Sequence, residues 1–99
     1  MINIFDINVV SKRYFDIKIG DLTLEVEPPK VKTLKKIINL SESKDSMSDL
    51  VEAVKMVLNK NKSGYVVSDK VTDELDYDQL DAILTAFFEW LGREKSSKN

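Results

Sequence analysis

The sequence predicts an α+β fold in which an N-terminal β-hairpin packs on a small bundle of three to four helices. Two stretches near the N-terminus alternate apolar with polar residues on either side of Gly20-Asp21, which is the pattern of a hairpin. Beyond Pro28-Pro29 the apolar residues recur at helical spacing instead. The prolines mark the boundary because proline lacks the N–H that a strand ladder needs.

The predicted hairpin covers residues 14–26, with Gly20 at the first central position of its turn, where a type II′ turn places glycine. A third strand formed by Ile2, Ile4 and Val9 is left open. The alternation assigns five residues to the buried face of the hairpin: Ile17, Ile19, Leu22, Leu24 and Val26.

Two amphipathic helices are predicted next, the first over residues 30–40 and the second from a cap at Ser46 or Ser48 to about Asn59. Met56 projects about 160° from the centre of the second helix's apolar stripe, counting 100° per residue. We therefore expect Met56 to be exposed and name it as a protein-binding candidate. The stripe itself consists of Leu50, Val51, Val54, Val57 and Leu58.

A short acidic turn is predicted over residues 69–75, followed by a long last helix. Asp76 and Gln79 have the spacing of a capping box at the start of that helix. Gly92 is the expected C-terminal stop, and residues 93–99 are expected to form a polar, frayed tail.

The apolar face of the last helix is broad, spanning about 160° of arc. Phe88 and Trp90 fall on opposite edges of it, and a domain of this size is not expected to bury both. Phe88 and Trp90 therefore join Met56 as protein-binding candidates, with the alternative that they close the two edges of the core left open. The face consists of Tyr77, Leu80, Ile83, Leu84, Phe87, Phe88, Trp90 and Leu91.

Composition limits both the size and the setting of the protein. With 99 residues and 42% hydrophobic content, the chain is long enough for one core, and we expect a single domain over residues 1–92. The absence of cysteine agrees with a reducing cytoplasm. Asn3, Asp6 and Asn8 interrupt the N-terminal apolar run, so we expect neither a signal peptide nor a membrane span there.

The residue inventory argues against catalysis. The chain has no histidine and no cysteine, which excludes Ser-His-Asp triads, Cys-His pairs and cysteine–histidine zinc sites. We expect no enzyme activity, no cofactor and no metal. The aspartates near the last helix are interpreted as helix caps because no glycine-containing calcium loop surrounds them: Asp69, Asp73, Asp76, Asp78 and Asp81.

Two alternatives remain open. Asp45-Ser46-Met47 resembles the site at which acyl carrier proteins bear phosphopantetheine, which would make Ser46 a modified residue, although acyl carriers are all-helical and Ser46 also suits a helix cap. The other alternative is a small regulatory module that binds nucleic acid. It would use four lysines that are also explained as a solvated helix face: Lys30, Lys32, Lys35 and Lys36.

Charge is distributed unevenly along the chain, although the net charge is only −2. Residues 28–62 hold eight lysines against four acids, whereas residues 68–92 hold seven acids against Lys70 alone. Such bipolar charge favours contacts between copies. At physiological salt, screening limits the reach of these charges to about 8 Å. We therefore expect self-association.

The order of elements from Leu22 to Leu91 resembles the small tail assembly chaperones of long-tailed bacteriophages and prophages of low-GC bacteria. The segment before Leu22 is not part of the resemblance. The similarity lies in the Lys-rich helix and in these stretches: Leu22-Thr23-Leu24-Glu25-Val26 with Pro28-Pro29, Asp49-Leu50-Val51-Glu52-Ala53-Val54, Leu58-Asn59-Lys60-Asn61, Leu75-Asp76-Tyr77-Asp78-Gln79-Leu80 and Phe87-Phe88-Glu89-Trp90-Leu91.

The resemblance implies a protein that coats the long, aggregation-prone tape measure protein during tail assembly. It further implies that the polymerising tail-tube protein displaces the chaperone. The protein would then act in the host bacterial cytoplasm and be absent from the mature virion.

Overall fold

A β-hairpin is followed by four helices in the described part of the chain, residues 3–43 and 47–96 of a computed structural model. This confirms the predicted α+β class. The elements are β1 (Phe15–Ile19), β2 (Leu22–Val26), α1 (Val31–Glu42), α2 (Met47–Asn59), α3 (Asp69–Thr72) and α4 (Tyr77–Ser96), with a short 3-10 helix at Ile7–Val9 before them.

The hairpin has the register that its alternation predicts. Phe15 pairs with Val26 and Ile19 pairs with Leu22, and Gly20 has a φ of +59°, as the first position of a type II′ turn requires. The predicted inward face is confirmed, with the β2 residues on it more deeply buried than those of β1. Phe15 belongs to this face as well.

The third strand that the sequence left open does not form among the described residues, and Ile2 lies outside them. Ile4 and Val9 are exposed. A local hydrogen bond explains the difference, because the Asp6 carboxylate accepts from the Asn8 backbone N–H at 2.9 Å and caps the 3-10 turn that follows.

Helix α2 occupies the centre of the fold, in contact with α1, α3, α4 and β2. The inward stripe predicted for it is confirmed, with Leu50 and Val51 half-buried at one end. A helix covered on several sides needs a wide apolar arc. The fully buried residues of α2 are Ala53, Val54, Val57 and Leu58.

The predicted start of α4 is confirmed by two reciprocal hydrogen bonds. The Gln79 N–H donates to the Asp76 carboxylate at 2.8 Å, and the Asp76 N–H donates to the Gln79 side-chain oxygen at 2.9 Å. Together they satisfy two N–H groups that have no partner inside the helix. The acidic turn predicted over residues 69–75 is present: α3 covers Asp69–Thr72, and backbone hydrogen bonds from the N–H groups of Asp73, Glu74 and Leu75 continue the turn.

The predicted end of α4 at Gly92 is wrong. The helix continues to Ser96, and Gly92 does not have the positive φ of a helix-terminating glycine. Arg93, Glu94 and Lys95 all have good helix propensity, which outweighs the cost of about 1 kcal/mol for one glycine. Residues 97–99 of the predicted tail lie outside the described part of the chain.

Phe87 joins the hairpin to the helices. Its ring is fully buried and lies 6.0 Å from the ring of Phe15, with an edge-to-face inclination of 69°. The rings of Phe88 and Trp90 lie 5.5 and 5.9 Å from it. Aromatic pairs in these geometries contribute about 0.5–1.5 kcal/mol each beyond the area that they bury.

We predict that Phe87→Ala lowers the free energy of unfolding by about 3–5 kcal/mol, because it leaves a cavity where three aromatic rings meet. Leu84→Ala should cost about 2–5 kcal/mol. Val66→Ala, at an exposed position, should change stability by less than about 0.5 kcal/mol. Denaturant titrations followed by circular dichroism measure all three, and a small effect of Phe87→Ala would contradict the central position of this ring.

Candidate protein-binding surface

The two edges of the α4 apolar face have different surroundings. Trp90, on one edge, is buried with 7% of its surface exposed, and its ring lies 5.7 Å from that of Phe15. Phe88, on the other edge, is half-buried. The domain therefore buries only one of the two aromatics, as expected: Trp90 is covered and Phe88 stays partly exposed.

Arg13 completes the burial of Trp90. Its guanidinium lies 4.6 Å from the centre of the indole ring and donates hydrogen bonds to the Trp90 and Leu91 carbonyls at 3.0 and 3.3 Å. Trp90 is therefore a core residue, the alternative that the sequence left open for it, and it presents little accessible surface to a partner. The residues that cover it, Arg13 and Phe15, precede the part of the sequence that carries the resemblance.

Met56 is not exposed as predicted, because it is half-buried and packs against the core. The chain after α2 folds back along this helix: the Asn59 side chain bonds both the N–H and the carbonyl of Val67, at 2.7 and 3.2 Å. Lys55 pairs with Asp69 at 2.8 Å on the same side. The segment from Val67 to Asp69 thus covers a face that helical periodicity assigned to solvent.

Among the described residues, Lys55 is the one whose pKa departs clearly from its ordinary value. The hydrogen bond to Asp69 raises the pKa of Lys55 above its ordinary value of 10.5. A raised pKa stabilises the fold while the amine is charged, so this contribution is complete below pH 10.5 and is lost as the pH rises through the higher, folded-state pKa. Lys55 therefore remains charged at neutral pH.

A groove of about 790 Å³ lies along the first three turns of α4. Its other side is the α1–α2 corner, defined here as residues 41–43 at the end of α1 and residues 47–50 at the start of α2. Phe88 forms part of its wall, so this candidate from the sequence does lie at an accessible apolar site. Trp90 and Met56 do not line the groove. The described lining residues are Ser41, Glu42, Ser43, Met47, Leu50, Tyr77, Asp81, Leu84, Thr85 and Phe88.

The groove has an apolar wall and a partly acidic rim. Buried Leu84 and half-buried Leu50 belong to the wall with Phe88, whereas Glu42 and Asp81 are exposed at the rim. Two further lining residues, Met47 and Tyr77, expose 54% and 57% of their surfaces. Sequence reasoning missed Met47 as a surface residue, because the corner that places it opposite α4 is a tertiary feature. Such a groove suits an apolar segment that carries basic residues beside its apolar side chains.

The other candidates from the sequence do not assemble into a site. Ser46, the residue of the acyl-carrier alternative, lies outside the described residues. The four lysines of the nucleic-acid alternative are exposed on or beside α1, as a solvated helix face would be. Among the described side chains of residues 3–43 and 47–92, no group of acidic residues could hold a metal ion, and no described helix is long and apolar enough to cross a membrane.

Comparisons of the chain with protein-family models, with curated proteins and with solved structures gave no match. The groove and the surrounding surface are therefore the physical basis for a functional assignment.

We predict that Arg13→Met lowers the free energy of unfolding by about 1–2 kcal/mol, because it removes two hydrogen bonds and the cation–π contact with Trp90. Trp90 is the chain's single tryptophan, so its fluorescence reports this site directly. Its emission should be that of a buried indole and should shift to longer wavelength in the variant.

The matched control for that variant is Lys12→Met, which removes the neighbouring charge. The Lys12 amine is largely exposed and lies 3.5 Å from Glu27, so the substitution should cost less than about 1 kcal/mol and leave the emission unchanged. Equal effects of the two variants would show that Arg13 acts only as a surface charge.

Proposed function

We propose that this protein is a non-enzymatic tail assembly chaperone of a bacteriophage or prophage, which binds the tape measure protein through the α1–α2–α4 groove. The observation that carries the proposal is the accessible apolar wall of that groove, where half-buried Phe88 lies with exposed Met47 and Tyr77. The chemistry of the groove supports protein binding, and the identity of the partner rests on the resemblance in sequence layout.

The shape of the groove favours an apolar helix as its ligand. A volume of about 790 Å³ can take several side chains from one face of a helix, inserted between the α1–α2 corner and α4. The acidic rim at Glu42 and Asp81 would attract lysine or arginine on the flanks of that face. A tape measure protein, being long and helical, would offer many such segments.

The openness of the binding surface also suits a chaperone that must be released. Phe88 is half-buried before any partner binds, so each contact removes only part of a side chain from water. Contacts of this kind are individually weak and replaceable, which would allow polymerising tail-tube protein to displace the chaperone. Self-association would make the coat cooperative along the tape measure protein. The protein would act in the host bacterial cytoplasm and be absent from the mature virion.

Binding can be measured by fluorescence polarisation with overlapping helical peptides from the tape measure protein encoded in the same genome. We expect one or more apolar peptides with basic flanks to bind. Met47→Asp should weaken the dissociation constant by about tenfold or more, because it places a charge on the groove wall. Met47 is exposed, so this variant should remain folded.

Val66→Asp is the matched control, because it places the same acid at an exposed apolar position that does not line the groove. Binding by Val66→Asp should equal that of the unaltered protein. Equal losses in the two variants would rule out the groove as the binding site. If no peptide from the tape measure protein binds, the proposed partner is wrong.

A further inference from the structure

The first described residues form an exposed apolar arm, defined here as residues 3–10. Five of these eight residues are apolar, and each exposes between 55% and 80% of its surface: Ile4, Phe5, Ile7, Val9 and Val10. A contiguous group of large apolar side chains on a soluble domain is typical of an interaction surface.

Strand β1 presents an open edge. Because the turn has two residues, Ile19 and Leu22 form a hydrogen-bonded pair. Hydrogen-bonded and non-hydrogen-bonded positions alternate along the strand, so the N–H and C=O groups of Asp16 and Lys18 point away from β2. No strand among the described residues pairs with this edge. Open edges of this kind accept a further strand from another chain.

The outer edge of β2, unlike that of β1, is hydrogen-bonded to another segment of the chain. The Lys62 N–H donates to the Glu25 carbonyl at 2.9 Å, and the Glu27 N–H donates to the Lys60 carbonyl at 2.8 Å. Two of the three inward residues of β2, Leu24 and Val26, are buried there. By contrast, the inward residues of β1 remain half-exposed beside the open edge: Phe15, Ile17 and Ile19.

The arm matches this edge in one antiparallel register. Placing Phe5 opposite Ile19 puts Ile7 opposite Ile17 and Val9 opposite Phe15, so that three apolar pairs form on the inward face. The same register places Asp6 opposite Lys18 on the outward face, with opposite charges. The parallel register that pairs Ile7 with Ile17 would instead place Asp6 beside Asp16, with like charges.

The residues that link the arm to β1 favour docking of the arm on β1 of a second copy over docking on β1 of the same chain. Three successive link residues are held to the body: Lys12 to Glu27 at 3.5 Å, Arg13 to the Trp90 carbonyl at 3.0 Å, and Tyr14 through a cation–π contact with Lys62 at 5.4 Å. Folding the arm back on its own β1 would need a reversal through residues 10–14, the segment in which these contacts hold the chain to the body.

We propose that the arm of one copy adds to β1 of a second copy as an antiparallel third strand, with Asp6 opposite Lys18. The bonds that hold the short 3-10 turn at Ile7–Val9 are then replaced by ladder hydrogen bonds to Asp16 and Lys18. This names the contact behind the self-association in the proposed function. It requires no tape measure protein, so its test is independent of groove binding.

Disulfide cross-linking tests the register directly, because the chain has no cysteine of its own. Purified Asp6→Cys is mixed with purified Lys18→Cys under mild oxidation. Opposite residues in a hydrogen-bonded pair have Cα atoms about 5.5 Å apart, within the disulfide range of about 4.4–6.8 Å. We expect a cross-linked dimer of twice the 11.3 kDa chain mass.

The control is Asn8→Cys mixed with Lys18→Cys, which is displaced by one diagonal to about 7–8 Å and should yield on the order of tenfold less dimer. Adding Ile7→Asp to the Asp6→Cys chain should reduce the matched dimer to the level of this control, because it places a charge opposite Ile17. Equal yields from matched and displaced pairs would overturn the proposal. So would an intramolecular, concentration-independent disulfide in the double variant Asp6→Cys/Lys18→Cys, since it would show that the arm folds onto its own strand.

Discussion

The contact between Phe15 and Phe87 is the interaction on which the arrangement of this small protein depends. An isolated two-stranded hairpin is at best marginally stable in water, so β1 and β2 need a helix to cover their apolar face. Phe87, fully buried at the centre of α4, supplies that cover together with the α2 stripe. Since the domain has no disulfide to assist it, this aromatic packing must orient the hairpin relative to the helices.

That packing divides the α4 face into a structural edge and an accessible edge. The hairpin lies against the Trp90 edge, where the Phe15 ring and the Arg13 guanidinium cover the indole. Nothing equivalent among the described residues covers the opposite edge, so Phe88 remains half-buried at the groove. A broad apolar helix therefore serves the core with one side and leaves the other accessible at the groove.

The groove and the N-terminal arm use different parts of the molecule. The groove is lined by α1, α2, α4 and the residues that end α1, whereas the arm and its proposed acceptor edge belong to the hairpin side. No residue is shared between them, so association between copies through β1 would leave the groove free. The proposed coating of a long partner requires such a separation, because the contact with the partner and the contact with the next copy have to coexist.

Local chemistry in the sequence determined the hairpin, its turn at Gly20 and the capping box at Asp76, because each depends on residues only a few positions apart. Helical periodicity likewise predicted the stripe of α2. Only the tertiary structure decided that Trp90 and Met56 are covered. The residues that cover them come from other segments of the chain, which the helical periodicity of α2 and α4 does not report. It also decided that α4 passes Gly92, where the propensity of the following residues prevailed over a single helix-stopping signal.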